Sequence, residues 1–100
     1  MYLDSVLETI GNTPLDKLQQ LQGIPATVLA KVEAYNPGLS AKDRIVRYMI
    51  AKAEQSGKIR AGATIIEATS GNTGFSLALT CAIKGYKCIL TITSKASEEK

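Results

Sequence analysis

The sequence predicts an α/β fold built on a parallel sheet, and three observations carry that expectation. Apolar stretches of strand length alternate with stretches of helical period, in the order strand, helix, strand, helix, strand. Glycines stand where each helix should stop, at Gly57 and Gly85. The composition, 45% apolar and 21% charged over 100 residues, is that of an ordinary globular domain or a piece of one. Strands joined through helices imply crossover connections, a parallel sheet and binding sites at the C-terminal ends of the strands.

Taken in order, residues 4–9 read as a short helix. Gly11-Asn12-Thr13-Pro14-Leu15 reads as a turn, and residues 16–22 as a polar helical piece ended by Gly23 and Pro25. Residues 26–33 read as a first strand, which enters the turn Asn36-Pro37-Gly38. A helix should run over residues 41–55, opened by a capping box of Ser40 and Asp43. A second strand over residues 63–67 leads into Ala68-Thr69-Ser70-Gly71-Asn72-Thr73-Gly74. The next helix, residues 72–84, is apolar nearly all round and should be buried on both sides, and residues 87–93 supply a third strand.

Lys42 stands out. At about 100° per residue it shares a helix face with Ile45, Val46, Met49 and Ala53, leaving Asp43, Arg44, Arg47 and Glu54 to the opposite, solvent face. An inward ammonium in the first turn, beside the positive end of the helix dipole, favours the neutral amine. A neutral lysine suits Schiff-base chemistry with a carbonyl or with pyridoxal phosphate. Geometry alone leaves a second reading open, in which Lys42 snorkels to water.

The loop of residues 69–74 offers two glycines, three hydroxyls, the Asn72 amide and a helix start, which together suit a carboxylate or a phosphate. It matches neither a P-loop nor Gly-x-Gly-x-x-Gly. Capping by Ser70 or Asn72, with Gly71 serving a tight turn, fits the spacing equally well.

Other chemistries are excluded by what the chain lacks. Without histidine there is no Ser-His-Asp triad, Cys-His pair or His-ligated metal in this stretch. Cys81 and Cys88 match no zinc or redox spacing and are expected as free buried thiols, so no metal site is expected. The net charge is +3, but the twelve basic residues are scattered and aromatics are only 5%, which argues against nucleic-acid binding. No apolar run reaches membrane-spanning length and no signal peptide opens the chain, so a soluble, cytoplasmic protein is expected.

The sequence resembles the cysteine synthase and cystathionine β-synthase family of fold-type-II pyridoxal-phosphate enzymes. The likeness runs through residues 10–15, then Asn36-Pro37-Gly38-Leu39-Ser40-Ala41-Lys42-Asp43-Arg44, then residues 65–74, and finally Ser97-Glu98-Glu99-Lys100. It implies a three-layer α/β fold with a parallel sheet, like the tryptophan synthase β-subunit and incomplete in this chain. It also implies pyridoxal 5'-phosphate as cofactor, held covalently by Lys42 as catalytic residue, with Asn72 on the ring hydroxyl. Thr69, Ser70, Gly71 and Thr73 would receive the substrate α-carboxylate. The implied reaction is β-replacement: the β-substituent of serine or an O-acylserine leaves, sulfide or a thiol such as homocysteine adds, and Lys42 shuttles the α-proton. The implied partners are thus a small amino acid and a thiol or sulfide, in a homodimer when full length.

Residues 84–89 look closer to cystathionine β-synthases, and the haem-binding extension of some of those is absent here. The sequence departs from the family at Leu39, where a second glycine is usual, and at Ile92-Thr93, where Met-Pro is usual. The family's phosphate loop and the residue facing the pyridine nitrogen lie further along a longer chain. Residues 1–100 are therefore expected to be an N-terminal portion, inactive alone. Two alternatives stay open: a same-fold serine or threonine deaminase, and a non-catalytic anion-binding module.

Overall fold

The computed structural model describes residues 2–19, 21–69 and 71–94. Ser5 and Glu8 form a capping box at the start of a 3-10 turn, Val6–Thr9, where the sequence suggested a short helix. Gly11 (φ +90°) and Asn12 (φ +50°) then reverse the chain in the left-handed region, as the turn motif predicts.

Strand β1 (Leu15–Lys17) pairs antiparallel with β2 (Leu29–Lys31) in a two-stranded ribbon of their own. This corrects two expectations. Residues 15–17 are extended where the end of a turn, Leu15, and the start of a helical piece over residues 16–22 were expected. The strand before the lysine turn is shorter than residues 26–33 and belongs to no parallel sheet. It ends where Glu33–Tyr35 wind into a 3-10 turn, whose Glu33 side chain is drawn into a polar network.

Helix α1 (Lys42–Gln55) and helix α2 (Asn72–Lys84) match their predicted ranges, and Gly85 closes α2 with φ +80°. Strand β3 (Thr64–Ala68) and strand β4 (Lys87–Thr91) pair in parallel across α2, with Ile65 opposite Cys88 and Ile66 opposite Ile89. This is the predicted crossover.

Val46, Ile50 and Leu77 form the core, with Ile59, Ile65, Tyr86, Cys88 and Leu90 packed around it. The core face of α1 therefore runs through Asp43, Val46 and Ile50, rotated from the predicted one: Ile45 and Met49 are nearly half exposed, and Lys42 is exposed. The apolar pattern of α1 is compatible with either phase, and the buried partners of Asp43 decide between them.

Helix α2 likewise buries one side only, through Gly74, Ser76, Leu77, Thr80 and Cys81, while Phe75 is 55% exposed. Its outer face and the far face of the sheet, with Ile66 and Ile89, have no cover among the described residues. At the other end of the helices, Lys84 and Tyr86 donate to the Glu54 carboxylate, holding it below its ordinary pKa and raising that of Tyr86. Cys81 is buried and Cys88 half-buried, both as free thiols, and desolvation pushes Cys81 up to about 11. No helix among the described residues is long and apolar enough to cross a membrane.

Candidate active site

The turn that delivers Lys42 is held from behind by side chains. Asn36 is buried; its carboxamide oxygen accepts from the Gly11 N–H at 2.8 Å, and its NH2 donates to Glu33. The Glu33 carboxylate also takes the Arg44 guanidinium at 2.8 Å, the Lys31 ammonium at 2.8 Å and the Thr13 hydroxyl at 2.6 Å. These donors hold Glu33 far below the usual carboxylate range, Arg44 first among them, and Glu33 in turn raises Arg44. So Gly11-Asn12-Thr13, read as a plain turn, is one wall of the lysine turn.

In front, Asp43 closes the turn. It is 1% exposed, accepts from the Gly38 N–H through one oxygen and from the Ser76 hydroxyl through the other, at 2.5 Å in each case. A Cβ on Gly38 would overlap that carboxylate, so glycine is required there for space. The capping box expected from Ser40 and Asp43 is replaced by this arrangement: Ser40 Oγ accepts from the Lys42 N–H at 3.2 Å, and Asp43 turns inward. Burial of a carboxylate is tolerable because both of its oxygens are hydrogen-bonded.

Leu39 takes φ +68°, left-handed backbone that disfavours a side chain. Lys42 itself is exposed, against the inward direction predicted, and its amine has no partner among the described residues.

The second half of the site sits where the sequence predicts it, past the C-terminal end of β3. The Thr69 N–H extends the strand pairing to Thr91, and Thr69 Oγ1 then accepts from the Gly71 N–H at 3.3 Å and the Gly74 N–H at 3.2 Å. Thr69, not Asn72, thus supplies the cap of α2 among the described residues, and the capping expected of Ser70 falls outside them. Gly71 is the residue before the helix, and a Cβ on Gly74 would overlap the Thr69 methyl. The amides of Asn72 and Thr73, and the Asn72 side chain, have no partner among the described residues. Ser70 and the Ser97-Glu98-Glu99-Lys100 segment lie outside the described residues.

The hydrogen bond from Ser76 on α2 to Asp43, the neighbour of Lys42, joins the two halves. That hydrogen bond links the two stretches, though α1 follows an antiparallel ribbon and not a parallel strand. Among the described residues the arrangement leaves without partners an amine able to attach a carbonyl, the Asn72 carboxamide, and N–H groups at a helix start able to take an anion. Those groups fit pyridoxal phosphate and an amino-acid carboxylate. The described cavities lie elsewhere; one of about 310 Å³ is lined by Ile10, Gly11, Arg44, Arg47, Tyr48 and Ala51.

Sequence reasoning missed Glu33, Asn36 and Ser76. A serine among the apolar residues of α2 was the available signal, since a buried hydroxyl needs a partner.

An α/β unit with a lysine at one helix start and a glycine-rich loop at another is the arrangement that the resemblance to pyridoxal-phosphate enzymes predicts. The chain belongs to the pyridoxal-phosphate dependent enzyme family, whose model matches residues 6–100. It is 50% identical over 101 residues to a cystathionine β-synthase of Dictyostelium discoideum, covering all of this chain and 20% of that protein. It is 48% identical over 99 residues to a cysteine synthase of Staphylococcus aureus strain Mu50, covering 98% of this chain and 32% of that protein. A solved hydrogen sulfide-producing enzyme from Fusobacterium nucleatum superposes with a TM-score of 0.94 at 44% identity, over 99% of this chain and 33% of the other. The chain thus spans about a fifth to a third of the length of the relatives it matches.

Proposed function

We propose that this chain is the N-terminal portion of a pyridoxal-phosphate-dependent β-replacement enzyme, acting on serine or an O-acylserine with sulfide or homocysteine to give cysteine or cystathionine. The observation that carries the reading is a Lys42 amine without a partner among the described residues, tied through Asp43 and Ser76 to a glycine-rich helix start whose Asn72 and Thr73 amides likewise have none there. The named activities of the relatives, cystathionine β-synthase and cysteine synthase, support the same reading.

Bound pyridoxal phosphate supplies the electron sink that labilises the α-proton and the β-substituent of an amino acid. Lys42 would hold the cofactor covalently, and its free amine would be the group that moves the α-proton. Asn72 orients the ring through its carboxamide. Thr69, Ser70, Gly71 and Thr73 take the substrate carboxylate. Because Thr69 Oγ1 already accepts two N–H groups, its single hydroxyl proton is left to donate to that carboxylate. A homodimer and a cytoplasmic location belong to this reading as well.

The test is borohydride reduction of the full-length protein supplied with pyridoxal phosphate, followed by peptide mass mapping. A pyridoxyl increment on the Lys42 peptide, lost in Lys42→Ala, is expected, together with cysteine or cystathionine formation. Ammonia and keto-acid release in place of those products would favour the deaminase. No adduct at Lys42 would leave an anion-binding module.

A further inference from the structure

We infer that Asp43 and Ser76 are positioning residues that set the reach between Lys42 and the carboxylate-binding loop of residues 69–73. The inference rests on the function proposed above and deepens it. Asp43 follows Lys42 directly, so the direction of its side chain fixes the rotation of the first turn of α1, and with it the side on which the lysine leaves the helix. That direction is set from two sides: Gly38 N–H holds one oxygen, and Ser76 Oγ–H holds the other.

Ser76 in turn lies two residues past Gly74, whose N–H is tied to Thr69 Oγ1. Two hydrogen bonds, joined by the helical backbone of residues 74–76, therefore link Asp43, next to Lys42, to the hydroxyl at the mouth of the loop. Both side chains are 1% exposed, so neither contact is open to exchange with water. The alternative phase of α1, in which Lys42 faces the core, would remove Asp43 from Ser76 and bury the amine. The pair thus selects which of two compatible rotations the helix takes.

The test uses the full-length protein loaded with pyridoxal phosphate and compares Asp43→Asn and Ser76→Ala with the parent. Asp43→Asn keeps shape but sets an NH2 against a donor; Ser76→Ala removes one bond only. Borohydride labelling of Lys42 reports cofactor attachment, and the serine concentration that half-protects Lys42 from labelling reports how the loop and the lysine share a substrate, without turnover. In both variants the labelled fraction without serine should stay at the parental level. The half-protecting concentration should rise at least about tenfold, and kcat/KM for the amino acid should fall about 10²-fold, as expected for a misplacement of about 1 Å.

If Asp43→Asn does not fold, Ser76→Ala decides alone. Parental protection in folded variants, whatever their melting temperature, would make the pair a structural contact and overturn the inference. Absence of labelling in the parent would instead overturn the function on which it rests.

Discussion

The two helix starts of the candidate site are held in opposite ways. The start of α1 is over-determined: Asp43, Asn36, Glu33, Arg44 and Thr13 converge around the turn of residues 36–41, and two of these side chains, Asn36 and Asp43, are buried. The start of α2 hangs on a single hydroxyl, Thr69 Oγ1, and leaves the Asn72 and Thr73 amides without partners among the described residues. The difference suits the chemistry proposed for each. A group that must hold a covalent partner at a fixed angle gains from rigid support, whereas a loop that must receive an anion needs donors not already spent.

The sharpest way to break this contrast is at Gly38. Gly38→Ala places a methyl on the Asp43 carboxylate, which is buried and short and has no room to yield. Urea denaturation of the full-length protein should show a loss of about 3 kcal/mol, from overpacking and a broken buried hydrogen bond together. A loss under about 0.5 kcal/mol would mean that the turn is far more pliant than its network implies.

Thr69→Val probes the lightly held side. It strands the Gly71 and Gly74 amides and should cost about 1–2 kcal/mol by the same measurement, as lost caps do, while Thr69→Ser keeps most of that stability. A loss in Thr69→Ser larger than in Thr69→Val would assign the effect to the methyl packed near Gly74 and not to the cap.

The smallest effect should come from Leu39→Gly. Relief of left-handed backbone is worth about 1–2 kcal/mol and the added freedom of the unfolded chain takes back about 0.5–1 kcal/mol. A net gain of up to about 1 kcal/mol in urea denaturation is the expected outcome. A net loss would show that the Leu39 side chain, 68% exposed here, is packed in the full-length protein.

Both helices, the crossover pair β3 and β4 and the chemistry-bearing stretches were legible in the sequence because each is a local pattern: period, glycine stop, turn residues. What was not legible depends on contacts distant in sequence. The phase of α1 is ambiguous in its apolar residues and is decided by Ser76, 33 positions from Asp43. The helical reading of residues 16–22 failed at its start because pairing with Leu29–Lys31, across the chain reversal, overrode local preference. Glu33 looked like the end of a strand and became the hub of a cation-rich network only when Arg44 and Thr13 were brought beside it. Leu39 shows the reverse: a departure from the family's usual glycine, yet the backbone keeps the conformation that glycine would favour.

The uncovered face of β3 and β4 has a consequence for handling. Ile66 and Ile89 stand opposite one another on it, at 65% and 50% exposure, and Ile92 just beyond is 64% exposed. Each strand also keeps one open edge among the described residues. Open edges beside an apolar face are templates for strand addition and stacking. A polypeptide limited to residues 1–100 would be kept dispersed chiefly by its net charge of +3, so raising the salt concentration, which screens that charge, would favour aggregates over single molecules.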